Sequence, residues 1–343
     1  MMNLERKTHR DGNLHPKAFN CLKLLDESFT YHNHHTQRHP FSIYSHSLQK
    51  VMQSFNAVLD EIDQISTALF NAEGNLDYPL KKLPDLQKEL LHALQSHIDD
   101  CYWILKVIHP YYHSNVQEKH PDRWLDKVKH PAYKPFHNAI KDYRESFAPI
   151  VNKIKHNGGQ LRPIMMYSRG RGIVARTVDK GIQTFPKNAR IVGYFLEGMQ
   201  PNGRIGPDCE IHRDGTTAIS LNRDLRYHFA NLYRVGDHLR SAIASTVRKL
   251  HGKKLPRDLA VNDTASQYDI ESIAQRVSKL PPLFFENEFS QKTPDIKFHR
   301  HNGNAELILE TPGYQYMTWE GEIMIYSETQ VDPVCLEYQI PYW

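Results

Sequence analysis

The sequence lacks the features that would assign it to several large classes of protein. Its four cysteines are widely separated and form no Cys-x-x-Cys pair, so neither a zinc knuckle nor a disulfide framework is indicated. No stretch approaches the roughly 18 consecutive apolar residues of a membrane-spanning helix. The first residues, MMNLERKTHRDGN, contain no apolar segment of the kind that a secretory signal requires. We therefore expect a cytoplasmic protein that does not cross a membrane.

The common motifs of nucleotide-binding and hydrolase sites are also missing. The chain contains no Walker A loop, no Gly-x-Gly-x-x-Gly after a predicted strand, no Gly-x-Ser-x-Gly and no His-Glu-x-x-His. The sequence thus indicates no cofactor and no standard catalytic class.

Length and composition predict a globular protein of two domains. The chain has 343 residues, of which 40% are hydrophobic and 24% are charged. A single hydrophobic core rarely grows beyond about 250–300 residues. The apolar fraction is large enough to build packed cores, which argues against intrinsic disorder.

Apolar residues recur three and four positions apart through the first 158 residues, a spacing that is typical of amphipathic helices. Gly158 follows the last of these segments and suits the position just after a helix end. Long helices with short links form a bundle when their apolar faces turn inward, so residues 1–158 are predicted to be an all-α helical bundle. The predicted helices cover residues 18–29, a segment that follows Pro40 and stops before Gly74, a segment from Pro84 to Pro110, a short helix near Trp124, and a last helix from Pro135 to His156.

After residue 158 the pattern becomes one of strands mixed with helices. The run RIVGYFLEGM is rich in β-branched and aromatic residues and predicts a strand. Asn-Gly and Asp-Gly pairs, which favour tight hairpin turns, follow it. Strands and helices group separately, so residues 159–343 are predicted to form an α+β domain with a mainly antiparallel sheet. The predicted elements are a three-stranded meander over 190–199, 208–213 and 216–222, a long helix capped by Asn222, a helix over 269–279, hairpins around Asn302-Gly303 and Glu320-Gly321, and a final strand over 335–338.

Positive charge is concentrated in the middle third of the chain. Residues 153–257 contain 20 Lys and Arg against 7 Asp and Glu, whereas the rest of the chain carries more acidic than basic residues. Most of these basic residues are arginine, whose planar side chain binds phosphate in a bidentate manner. Clustered arginine is typical of proteins that bind nucleic acid, and we expect RNA rather than DNA. The alternative is that these arginines pair with the acidic flanks of the chain.

One part of this basic third, YSRGRGIVARTVDKG, alternates arginine with glycine. Glycine lets a phosphate backbone approach closely, and Tyr167 is placed to stack on a base. An equally consistent interpretation is a basic surface loop. The candidate nucleic-acid contacts in and around this third are Lys155, Arg162, Arg169, Arg171, Arg176, Arg223 and Arg226.

The end of the predicted bundle carries the sequence VNKIKH, in which Asn152 and His156 lie four residues apart on one helix face. This segment resembles the Arg-Asn-x-x-x-His motif of the HEPN families, which are helical bundles. The resemblance implies a metal-independent ribonuclease that dimerises, from bacterial toxin or antiviral defence systems, with Asn152 and His156 as catalytic residues. Val151 stands where the motif has its arginine. Against the resemblance, the missing arginine implies a bundle that has lost cleavage and kept a scaffold role.

The residues at this helix end allow both a catalytic and a structural interpretation. Metal-free cleavage of RNA needs a base for the 2′-hydroxyl and a cation for the charge that develops on the phosphate. His156 is a candidate base, and the candidate cations are Lys155, Arg162 and Arg144. The simpler interpretation is a polar helix end that faces solvent.

The segment PDCEIHRDG offers a weak candidate for a metal site. In a strand, Asp208, Glu210 and His212 would share one face, and such side chains can hold Mg²⁺ or Mn²⁺. The outer face of an ordinary antiparallel hairpin gives the same pattern. Four further histidines have no neighbouring carboxylate or cysteine at ligand spacing and are predicted to lie in a solvated loop: His32, His34, His35 and His39.

The function that these patterns favour is binding of nucleic acid, with RNA preferred, through an arginine-rich surface. The alternatives are a ribonuclease that uses His156 as its base and a non-enzymatic interaction or scaffold protein.

Overall fold

A computed structural model describes most of the chain. The described residues are 7–10, 14–71, 80–110, 116–169, 173–177, 181–184, 190–256, 270–288, 291, 293–301, 304–310, 315–319, 322–327 and 337–342.

The amphipathic pattern of the first half of the chain folds as predicted into helices. The helix that follows Pro40, the one near Pro84, the short one near Trp124 and the one that ends at His156 are all confirmed. These helices are α1 (Lys17–Lys23), α2 (Pro40–Asn71), α3 (Lys82–Val107), α4 (Pro121–Lys127) and α5 (Tyr133–His156).

The first helix is shorter than its apolar spacing predicts. It ends at Lys23, and a separate 3₁₀ turn follows over Glu27–Phe29. The carboxylate of Asp26 accepts a hydrogen bond from the N–H of Ser28, at 2.8 Å. This local side-chain contact favours a new turn over continuation of the helix.

The second half of the chain is α+β, with paired strands that are antiparallel and two further helices. Its helices are α6 (Leu221–His251) and α7 (Ile270–Lys279). The strands, with one from the N-terminus, are β1 (Lys7–Arg10), β2 (Leu161–Arg169), β3 (Ile173–Thr177), β4 (Gly181–Thr184), β5 (Arg190–Met199), β6 (Ile205–Pro207), β7 (Ile219–Ser220), β8 (Asp295–His301), β9 (Asn304–Glu310), β10 (Gln315–Trp319) and β11 (Glu322–Ser327).

The strands form three sheets in the described part of the chain. The largest has the order β11-β2-β5-β6, and β7 also pairs with β5. The second has the order β1-β9-β8, and the third β10-β3-β4. The predicted hairpin around Asn302-Gly303 is confirmed, because β8 pairs with β9.

Two other predicted strand arrangements are wrong. Residues 208–213 form turns and no strand, and β6 and β7 both pair with β5 in place of a meander. The strands on either side of Glu320-Gly321 do not pair with each other, because β10 pairs with β3 and β11 with β2.

Of the predicted final strand, residues 335–336 lie outside the described residues, and Tyr338 forms an isolated bridge with Ile205. Turn residues mark a reversal of the chain, but they do not select the partner of the strand that follows.

The long helix α6 starts two residues earlier than predicted. Its N-cap is Ser220, and the predicted cap Asn222 lies inside the first turn. The amide of Asn222 is buried and donates to the carbonyl of Leu283, at 3.4 Å. At the other end, Gly252 has φ of +67°, the left-handed conformation in which glycine stops a helix without strain.

One hydrophobic core joins the helical half to the α+β half. It runs from α1 through the bundle helices to β5, α6, α7 and β9. Phe55 of α2 packs edge-on against Phe229 of α6, with ring centroids 5.9 Å apart. Gly158, with φ of +67°, ends α5 at the predicted boundary. The boundary at residue 158 thus marks a change of secondary structure, while the core continues across it.

Candidate functional site

A pocket of about 920 Å³ opens beside the first turns of α6. Its walls come from α5, β5, α6, the connection over residues 211–219 and the 3₁₀ turn Glu286–Glu288. This volume lies in the range of sites for small molecules.

The sequence NRDLRYH places four polar or aromatic side chains of α6 at this pocket. Arg223 and Tyr227 are four residues apart, as are Asp224 and His228, so each pair lies on one side of the helix. All four side chains line the pocket.

The floor of the pocket is a buried polar network centred on Asp224. One carboxylate oxygen, Oδ2, accepts hydrogen bonds from Gln87 of α3 at 2.7 Å and from Tyr194 of β5 at 2.9 Å. The other oxygen lies 3.2 Å from Nε2 of His228. Nδ1 of His228 is 3.1 Å from the hydroxyl of Tyr143 on α5. The network therefore ties two bundle helices to α6 and the largest sheet.

The charge of Asp224 is stabilised by these partners. Burial acts to raise its pKa, but His228, Tyr194 and Arg223 offset that effect and hold the pKa below its usual value. Asp224 is thus an ionised carboxylate at neutral pH, although it is only 5% exposed.

A second buried carboxylate, Glu288, faces the start of α6. Its Oε1 accepts from the N–H of Ser220 at 3.1 Å, and its Oε2 accepts from the N–H of Phe285 at 2.9 Å. Burial raises its pKa to about 7 despite the neighbouring Arg223, whose Nη1 is 3.9 Å away. Glu288 therefore anchors the 3₁₀ turn to the N-terminus of the helix.

Arg223 is the cation of the inner pocket. Its guanidinium lies 5.4 Å from the centre of the Tyr227 ring, in a cation–π contact. Its Nε has no hydrogen-bond partner among the described residues, although the atom is enclosed. The Arg223 side chain is 13% exposed, which leaves part of it open to the pocket.

Two histidines, His212 and His228, line the pocket and contact other residues of the protein. Nε2 of His212 accepts a hydrogen bond from the N–H of Leu196, at 2.8 Å. Burial lowers the pKa of His212 to about 4, so it is neutral at pH 7. Both ring nitrogens of His228 also face partners. These two histidines help to position the walls of the pocket.

The residues of the proposed ribonuclease motif lie away from this pocket. Asn152 and His156 are exposed on α5 and do not line it. Val151, at the position of the motif arginine, is fully buried in the hydrophobic core. Lys155 is exposed beside them. The ribonuclease hypothesis stays a prediction.

Two of the predicted nucleic-acid contacts are engaged with other residues of the protein. Arg162 makes a bidentate pair with Glu197, at 2.7 and 3.2 Å. Arg226 is not a surface contact, because its side chain is 7% exposed, donates to the carbonyl of Leu280 and lies 3.8 Å from Asp295. Arg226 thus fits the alternative interpretation, in which arginines of the middle third pair with the acidic flanks, whereas Glu197, the partner of Arg162, lies within the middle third itself.

The remaining candidates that the structure describes lie on different elements of the fold. Arg223 is in the pocket. Arg169 ends β2, and Arg176 lies in β3 opposite Tyr316. Arg171 lies outside the described residues.

The predicted metal-binding face of residues 208–212 does not form. The carboxylate of Asp208 accepts from the N–H groups of Glu210 and Ile211, at 3.0 and 3.2 Å, which creates a turn where a strand was expected. Lys153 contacts Asp208 and Glu210 at 2.6 and 2.7 Å, whereas His212 turns inside. Within the part of the chain that the structure describes, no group of three potential metal ligands comes together.

Sequence reasoning missed the residues that build the pocket. Asp224, Tyr227, His228 and Glu288 were not singled out. The available signal was the spacing of Asp224 and His228, an acid and a histidine four residues apart on the inward side of a long helix.

The comparisons with known proteins give no relative. The chain matches no family model, no curated protein and no solved structure. Among the helices that the structure describes, none combines the length and apolar character that a membrane span needs.

Proposed function

We propose that the protein binds a small molecule with an anionic group and a flat ring in the pocket at the start of α6. The observation that carries this proposal is Arg223, an enclosed guanidinium at the pocket with one N–H group that no described residue accepts.

Arg223 is suited to an anionic group. A guanidinium presents donors in a fixed planar arrangement that matches a carboxylate or a phosphate. Glu288 holds it only loosely, at 3.9 Å, and the pKa of Glu288 near 7 leaves that carboxyl partly neutral at physiological pH. The nearby N-terminus of α6 adds a favourable field for negative charge.

Aromatic side chains at the pocket are suited to a ring. Tyr227 lies half-buried on α6 beside Arg223, and Phe147 of α5 lines the same pocket. Aromatic surface next to a cation can hold a ring and its acidic substituent together.

The geometry supports binding more than catalysis. The hydroxyl of Ser146 at the pocket wall donates to the carbonyl of Tyr143, at 2.6 Å. Of the two histidines in the lining, His212 accepts from the N–H of Leu196 through Nε2, and His228 lies between Asp224 and the hydroxyl of Tyr143. An activated nucleophile needs a base within hydrogen-bond reach, and the described lining residues do not supply that pair.

Ligand binding is expected to depend on Arg223. We expect at least one nucleoside monophosphate or aromatic carboxylate to raise the melting temperature of the full chain in a saturable manner, while the matched uncharged nucleosides do not. Arg223→Gln is expected to weaken that binding at least about tenfold, because a charged hydrogen bond contributes about 1.5–3 kcal/mol. Thermal-shift titration and calorimetry measure both effects.

The matched control is Arg123→Gln, which removes an exposed arginine of α4 that does not line the pocket. It should leave ligand affinity unchanged. The proposal is wrong if no anionic probe binds, or if Arg223→Gln binds as tightly as the original chain.

A further inference from the structure

The C-terminal end of α6 and the loop that packs against it carry a group of exposed basic side chains. We call this group the basic tip. It consists of Arg38, Arg248, Lys249, Lys253 and Lys254.

Ring contacts place the loop and the helix end side by side. The ring of His251 lies 5.0 Å from Phe29 and 5.9 Å from Tyr31, and it is nearly parallel to the latter. Tyr31 also stacks on His34, at 5.9 Å. The backbone N–H of Tyr31 donates to the carbonyl of Val107, at 2.7 Å, which fixes the loop to the end of α3.

The lysines beyond the helix belong to the same surface. Gly252 ends α6, and Arg240 then donates to the carbonyl of Pro256, at 2.8 Å. The segment with Lys253 and Lys254 therefore folds back beside the helix that carries Arg248 and Lys249.

The charge of the basic tip is not neutralised within the fold. Of the described residues, none forms an ion pair with any of the five basic side chains of the tip. The acidic neighbours in the loop have other partners. Asp26 accepts from Ser28, and Glu27 contacts His39 at 3.2 Å.

We infer that the basic tip binds single-stranded nucleic acid, with the lysines and arginines on the phosphates and a base stacked on Tyr31 and its histidine neighbours. Basic side chains alone would serve any polyanion. Partly exposed Tyr31 and its stacked neighbours His34 and His251 add flat rings beside the basic residues, and stacking on aromatic rings is how single strands are held. The favourable field at a helix C-terminus accounts for basic residues in the last turn of α6, but not for Lys253 and Lys254 beyond it.

This site is independent of the pocket. Arg248 lies 25 residues, or seven turns of helix, beyond Arg223 on α6, which is about 37 Å at 1.5 Å per residue. Failure of either proposal leaves the other unaffected.

The test is binding of a fluorescein-labelled single-stranded RNA of about 12 nucleotides to the full chain, followed by anisotropy from about 50 to 300 mM NaCl. The variant Lys253→Gln/Lys254→Gln is expected to lose affinity and to reduce the slope of log K against log salt by about 1.4, since each lost phosphate contact on a single strand contributes about 0.7. The variant Tyr31→Ala is expected to lose about tenfold in affinity with an unchanged salt slope, and Tyr31→Phe to retain it.

The matched control is Lys81→Gln/Lys82→Gln, which removes two adjacent exposed lysines at the start of α3. It should change affinity less than twofold. The inference would be overturned if both double variants lost the same affinity, or if the RNA did not bind at the lowest salt. It would also be overturned if Tyr31→Phe lost as much affinity as Tyr31→Ala. Binding to phosphatidylserine vesicles without binding to RNA would also overturn it, because the surface would then recognise a lipid headgroup. The melting temperature of each variant shows that a loss of affinity is not a loss of fold.

Discussion

The free energy of unfolding is expected to fall steeply as the pH drops from about 6.5 toward 4. The reason is that three histidines in different parts of the fold are buried and have lowered pKa values. Burial lowers the pKa of His97 and His212 to about 4 and that of His130 to about 3. Each is less than 5% exposed and is neutral in the folded chain at pH 7.

The sign follows from proton binding. An unfolded histidine takes up a proton near its ordinary pKa of 6.5, whereas these folded histidines do not until the pH is near 4. The stability they contribute is therefore complete above pH 6.5 and is lost as the pH falls. Each contributes a slope of about 1.4 kcal/mol per pH unit within that window.

Glu288 opposes this trend over much of the same range. Its folded pKa near 7 exceeds the unfolded value of 4.5, so its penalty is relieved as the pH falls from 7 to 4.5. Burial also raises the pKa of Asp100 to about 6, which opposes the trend, and lowers the pKa of His35 to about 4, which adds to it. Four histidines against two carboxylates leave a net slope of about 3 kcal/mol per pH unit. A typical domain has a total stability of about 5–15 kcal/mol, so acid unfolding is expected near pH 5 or below.

Urea unfolding followed by circular dichroism at several pH values between 7.5 and 4.5 measures this slope. His97→Leu is expected to reduce the slope by about 1.4 kcal/mol per pH unit. The control His156→Gln removes an exposed histidine and should leave the slope as it is. A stability that is flat from pH 7.5 to 5 would show that the buried histidines do not control acid unfolding.

Replacing Asp224 with alanine is expected to destabilise the protein by about 3–5 kcal/mol. The change removes the acceptor of Gln87 and Tyr194 and the carboxylate beside His228, and all three partners are buried. Buried donors that lose their acceptor keep their desolvation cost without compensation. Asp224→Asn keeps one acceptor oxygen, so it is expected to lose less stability than Asp224→Ala.

Urea unfolding at pH 7.5 measures the effect under conditions in which Asp224 is ionised. The control is Glu145→Ala on α5, which removes a carboxylate that is 64% exposed and 3.7 Å from Lys141. An exposed pair of this kind contributes about 0.3–0.5 kcal/mol. If both substitutions cost the same small amount, the Asp224 network does not stabilise the junction between the bundle and the sheet.

Elements that depend on neighbours in sequence were predictable. Apolar residues three and four apart define α2, α3 and α5, because helix periodicity repeats within a few residues. The hairpin of β8 and β9 was predictable for the same reason, since its turn and its two strands are adjacent.

The roles of the charged residues were not predictable in this way. Arg162, Arg223 and Arg226 have the same side chain and lie in one basic segment, yet one pairs with Glu197, one faces the pocket and one is buried against Leu280. Their partners lie 35 to 69 residues away, as in the case of Glu197 and Asp295. No local pattern distinguishes an arginine that will be paired inside from one that will remain at the surface.

The sequence by itself determined the α+β class, the helices of the first half and the helix end at Gly158, because each follows from local periodicity and backbone preference. Only the tertiary structure decided that β10 and β11 pair with β3 and β2, that one core crosses residue 158, and that Asp224 and Glu288 both line the pocket at the start of α6. These features depend on contacts between segments that are far apart in the chain, and the free energy of such contacts comes from burial and pairing that exist only after the chain has folded.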